Sequence, residues 1–82
     1  MDSITTLIEI NKLLNEPGWG KVNRRCRLWD KLLLKFRNSP LSLASFIERN
    51  RASLLDPDEL LDDLHMRAVI LRLPTFRKEI VQ

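Results

Sequence analysis

Between Lys21 and Asn38 the apolar residues fall on one side of a helix and the cations on the other. At about 100° per residue, Val22, Cys26, Leu28, Trp29, Leu32, Leu33 and Phe36 share one arc of roughly 160°. Arg24, Arg27, Lys31 and Lys35 stand opposite, at the spacing i, i+3, i+7, i+11. Only Arg25 and Leu34 fall off this pattern. A strand alternates its faces every second residue and cannot separate these two sets, so this segment commits the chain to helix. Sixteen of the 82 residues are leucine, a straight-chain residue that loses little rotamer freedom in a helix.

The remaining helices are marked by their starts and breaks. Asp2 or Ser3 caps a first helix running to about Asn15, with Ile4, Leu7, Ile8 and Leu14 on one side and Ile10 and Leu13 widening the stripe. Glu16-Pro17-Gly18-Trp19-Gly20 ends it in a turn. Ser39-Pro40 is a cap followed by a first-position proline, and Leu43, Phe46, Ile47 and Leu54 carry a third helical face to about Leu55. Asp56-Pro57-Asp58-Glu59 is the strongest start, because it joins a cap, a first-position proline, acids at the positive end of the dipole and a capping-box glutamate. Leu60, Leu61, Leu64, Ala68 and Leu71 continue that helix, and Pro74 breaks it after Leu73. Thr75 to Val81 then form a short last helix, with Phe76 and Ile80 inward.

The expected fold is all-α: a single domain over residues 1–82, a small bundle of four helices plus a short C-terminal helix. A chain of this length buries only about 60–65% of the surface its unfolded form exposes. With broad apolar stripes on every helix, apolar surface is left over, and a homodimer of C2 symmetry is the expected way to cover it. The leucine-, arginine- and serine-rich composition without tyrosine also resembles that of genes read in a shifted frame in compact viral genomes, which often encode dimeric helical binders.

Chemistry is hard to place. Cys26 is the one cysteine and His65 the one histidine. Cys26 between two arginines is a candidate for a lowered pKa, yet on the apolar side it reads more plainly as a small buried hydrophobe. His65 reads as a helix-surface or boundary residue. Asp56, Asp58, Glu59, Asp62 and Asp63 read as an acidic helix start that the dipole stabilises; an acid–base pair or a magnesium site would need convergence from a second element. With no phosphate-cradling glycine loop, HExxH or nucleophile elbow, the expectation is a protein that is not an enzyme and needs no cofactor or metal. Met1-Asp2-Ser3-Ile4 does not resemble a signal peptide, and no apolar run reaches the roughly 18 residues of a membrane span, so cytosol or nucleus is the expected compartment.

Charge is concentrated: residues 19–39 sum to +6 and residues 57–64 to −4, within a net of +3. The row Arg24, Arg27, Lys31 and Lys35 spans about 16 Å at 1.5 Å per residue, with Lys21 at its start and Arg25 and Arg37 flanking it. Such a row can follow a phosphate backbone, and Arg49, Arg51, Arg77 and Lys78 would extend its field. No aromatic interleaves the cations, which disfavours stacking on single strands and points to a duplex read by shape, double-stranded RNA above all. No helix-turn-helix pattern is present. The candidate nucleic-acid residues are therefore Arg24, Arg27, Lys31, Lys35, Arg25 and Lys21. The plain reading beside this one is a solvated face. The competing class is a protein-interaction module that uses leucine surplus and Trp19, which on its turn serves either as a lid on the core or as an interface anchor. The acidic block and the basic row are also able to meet across a dimer.

Overall fold

Four helices form where the caps and breaks put them, in a computed structural model that describes residues 2–76. They are α1 (Ser3–Leu14), α2 (Trp19–Lys35), α3 (Pro40–Arg49) and α4 (Pro57–Ile70), with a 3-10 turn over Arg51–Ser53 between the last two. Among the described residues helix is the only regular structure, which makes the class all-α. The expected fifth helix falls almost wholly outside the described residues, and Thr75 and Phe76 are not helical.

Three of the four starts use the expected side chain. Asp2 accepts from the Thr5 amide at 2.7 Å, Ser39 from the Ser42 amide at 3.2 Å, and Asp56 from the Glu59 amide at 3.0 Å. That hydrogen bond holds the Asp2 carboxyl below its ordinary pKa. The fourth start departs from expectation. α2 begins at Trp19 rather than Lys21, capped by Gly18 at φ 115° with no side-chain bond, so Trp19 and Gly20 lie in the first helical turn.

Helix ends also depart from the expected positions. α2 stops at Lys35 rather than Asn38, because Arg37 and Asn38 adopt left-handed backbone (φ 57° and 55°). The Asn38 amide then donates to the Leu33 carbonyl at 2.7 Å and the Arg37 amide to Leu34 at 3.1 Å. α4 closes in the same way, ahead of Pro74. Arg72 has φ 57°, its amide donates to Val69, and the Leu73 amide donates to Ala68 at 2.9 Å. Both are Schellman ends, built on arginine where glycine is usual. α3 ends at Arg49, not near Leu55, and the 3-10 turn carries the chain on to a buried Leu54.

α1 packs mainly on α2 and α3 mainly on α4, two helical hairpins laid against each other. Leu7, Ile10, Leu32, Leu43, Ile47, Leu60 and Leu64 are wholly or almost wholly buried between them. Trp29 is the largest buried side chain, and Phe36 and Phe46 close one side with ring centroids 5.2 Å apart. Val22 and Cys26, expected inside, are only half buried, and Leu71 is exposed.

One buried polar residue ties the two hairpins together. Asn11 is 2% exposed; its Nδ2 donates to the Asp56 carbonyl at 2.9 Å, and its Oδ1 accepts from the Asp56 amide at 3.2 Å. In a capping box the N3 glutamate takes that amide. Here Asn11 has taken it, and Glu59 Oε1 is left buried without a partner among the described residues.

Candidate interaction surfaces on the second and fourth helices

α2 and α4 are joined by two arginine–aspartate pairs of opposite sense. Arg25 of α2 reaches Asp63 of α4 at 3.0 Å, and the Trp29 indole N–H donates to the same Asp63 oxygen at 2.6 Å. Arg67 of α4 reaches back to Asp30 of α2 through two parallel bonds of 3.0 and 2.9 Å. The fork of a guanidinium matches both carboxylate oxygens, which fixes orientation as well as charge.

These pairs and their neighbours divide the expected cation row. Arg25 is drawn into the Asp63 pair and its side chain is only 20% exposed. Arg24 is bound to Glu9 of α1, and Lys21 to Glu16 at 2.8 Å. Arg27, Lys31 and Lys35 are exposed, and no carboxylate pairs with Arg27 or Lys31 among the described residues. Gly20, Asn23, Arg24, Arg27, Leu28 and Lys31 line a shallow depression of about 360 Å³ on this side of α2.

Arg51 is committed elsewhere. It bridges Glu48 and Asp58, whose acceptance of its hydrogen bonds raises its pKa further and holds Glu48 below the ordinary carboxylate value. Arg49 is exposed, and Arg77 and Lys78 lie outside the described residues.

On the other side of α2 lies an apolar recess of about 270 Å³. Val22 and Cys26 of α2 and Met66 and Ile70 of α4 line it, together with Trp29, the Arg25–Asp63 pair and Arg67. Met66 and Ile70 are 57% and 64% exposed. Trp19 is seven residues before Cys26, so the two stand nearly in line along α2, about 20° apart at 100° per residue. Its indole does not fold back on the core: it is 83% exposed, and its neighbours Gly18 and Gly20 have nothing within 4 Å of where a Cβ would stand.

No group of three or more metal-ligating side chains forms among the described residues. Cys26 lines the apolar recess, while His65 rests edge-on against Phe76 at 5.9 Å, its Nδ1 buried and unpartnered among the described residues. Among the described residues no helix is long and apolar enough to cross a membrane.

Asp30 and Arg67 here, and Asn11 on α1, carry no role in a helical-wheel reading, and Asp63 enters the sequence reading only as part of the acidic start of α4. Asn11 alone leaves a trace there. It lies at i+4 from Leu7 and three before Leu14, a polar residue inside an apolar stripe.

Comparison of the chain with protein families, with curated proteins and with solved structures finds no match.

Proposed function

We propose that this is a non-enzymatic interaction protein that engages its partner through Trp19 and the α2–α4 recess. The observation that carries this reading is the exposure of Trp19 on the α2 face that also carries Val22 and Cys26, whose recess has exposed Met66 and Ile70 as its other lining. Contiguous apolar surface of this kind, rimmed by polar residues, marks contact sites on small domains. Tryptophan is the residue most often found to dominate such contacts. Placing a photo-crosslinking amino acid at position 19, in the cells that make the protein, tests the reading. A discrete cross-linked species should form and should vanish on Ile70→Asp, while a crosslinker at position 49 should give none. No species from position 19, or the same species from both positions, would reject it.

A second reading is supported by the depression around Arg27 and Lys31. These two cations offer a short backbone-binding strip for nucleic acid, double-stranded RNA best among them. The strip is shorter than the six-residue row, since Arg24, Arg25 and Lys21 are held by acids of the same chain. Two phosphates give a log–log salt slope of about −2, against about −5 for six. Fluorescence anisotropy with an RNA duplex measures that slope. Arg27→Glu with Lys31→Glu should abolish the binding, because both are exposed and the fold does not use them; no binding by the unaltered chain at low salt disposes of this reading.

A further inference from the structure

We infer that the partner seated on the Trp19 face is a second copy of this chain, related by a two-fold axis, with each indole lying in the α2–α4 recess of the other copy. The inference rests on the reading of that face as the interaction surface and names its occupant.

The chain carries both halves of the contact. Trp19, 83% exposed, projects from the start of α2 between two glycines. The recess begins one helical turn further along the same face, at Val22. A two-fold contact is self-complementary, so a protruding group and a recess set side by side on one patch meet each other twice across the axis.

Charge favours a copy over a strongly charged partner. The recess is bordered by Arg25–Asp63 and Arg67–Asp30, each a closed pair of zero net charge. A second copy sets a neutral rim against a neutral rim and traps no unpaired charge, the condition under which burial is least costly. The unpaired cations Arg27 and Lys31 are roughly 120–160° around α2 from the midpoint of Val22 and Cys26 and stay outside the contact. An interface of ordinary size covers about 800 Å² on each partner, with an apolar centre and polar rim. Trp19, Met66 and Ile70, 83%, 57% and 64% exposed, supply that centre, with the arginine–aspartate pairs beside them.

Sedimentation equilibrium of the full chain over a wide concentration range, under reducing conditions, tests the inference. The mass should rise from the 9.7 kDa of one chain to twice that value. Trp19→Ala and Ile70→Asp should each hold the mass at one chain while leaving the helical circular dichroism intact, and Arg27→Glu should dimerise like the unaltered protein. Cys26, the one thiol, provides a second readout, because it lines the recess. Its alkylation by a maleimide should slow severalfold as the protein is concentrated, and should not slow in Trp19→Ala. A chain that stays at one mass throughout overturns the inference; cross-linking from position 19 to other proteins would then preserve the broader reading of the face. A dimer that both variants leave undisturbed overturns the inference too, since it would use a different surface.

Discussion

Trp29→Ala should leave the domain largely unfolded at physiological temperature. Trp29 is 1% exposed at the centre of the four helices, and removing a buried tryptophan side chain costs about 3–5 kcal/mol. A domain of 82 residues has a total of about 4–12 kcal/mol to lose, at roughly 0.05–0.15 kcal/mol per residue. The loss spreads past the cavity, because the indole N–H, with Arg25, holds Asp63. A thermal melt followed by circular dichroism should show a drop of well over 10 °C, given about 4–8 °C per kcal/mol for a domain of this size. Trp29→Phe separates the contributions. It keeps most of the volume and removes the hydrogen bond, and Arg25 still holds the carboxylate, so a cost of about 1–2 kcal/mol is expected. A melt of Trp29→Ala within a few degrees of the unaltered protein would mean that the core does not close around this residue.

Asn11→Asp is expected to be nearly as damaging despite matching in size. The amide makes a donor bond and an acceptor bond with Asp56, and a carboxylate keeps only the second. Its other oxygen would face the Asp56 carbonyl, bringing two acceptors together with a buried charge. An uncompensated charge of this kind costs about 3–5 kcal/mol. The pH dependence follows from the same geometry. Burial against a carbonyl raises the pKa of a carboxyl at position 11 above its unfolded value of about 3.9. The protonated form restores the donor, so the variant is least handicapped below about pH 4, the unfolded value. Its deficit against the unaltered protein should then grow as pH rises through the higher folded value. Urea titrations at several pH values read this directly, and a gap that stays constant with pH would show that the position 11 carboxyl has escaped to water.

The starts of α1, α3 and α4 were legible because each is a local event: an oxygen-bearing side chain accepts an amide three residues ahead, and proline at the first helical position loses nothing. The inner face of α2 was legible for the same reason, since Leu28, Trp29, Leu32 and Leu33 keep a helical period. The ends of α2 and α4 were not, because Arg37, Asn38 and Arg72 take the left-handed backbone in place of glycine and leave no compositional mark. The cation row was legible as a row, and its division was not. Which acid reaches which base depends on how helices are placed: Arg25 meets Asp63 across 38 positions of sequence, and Arg24 meets Glu9 across 15. The exposure of Trp19 depends likewise on α2 beginning at Trp19 with an uncapped glycine before it, where a Pro-Gly-Trp-Gly string reads as a turn.

The bonds between Asn11 and Asp56 carry a consequence for how the chain is made. A residue 45 positions downstream completes the first helix, so α1 and α2 leave the ribosome with their inner leucines uncovered and with Asn11 still hydrated. At about 5–20 residues per second that interval lasts some seconds, long against the microsecond time in which helices and hairpins form. Until α4 has been made, the inner leucines of α1 and α2 lack part of the surface that covers them in the finished domain. The chain's final packing is deferred until α4 has emerged, and during that interval it is most open to chaperones, to proteases and to other nascent copies of itself.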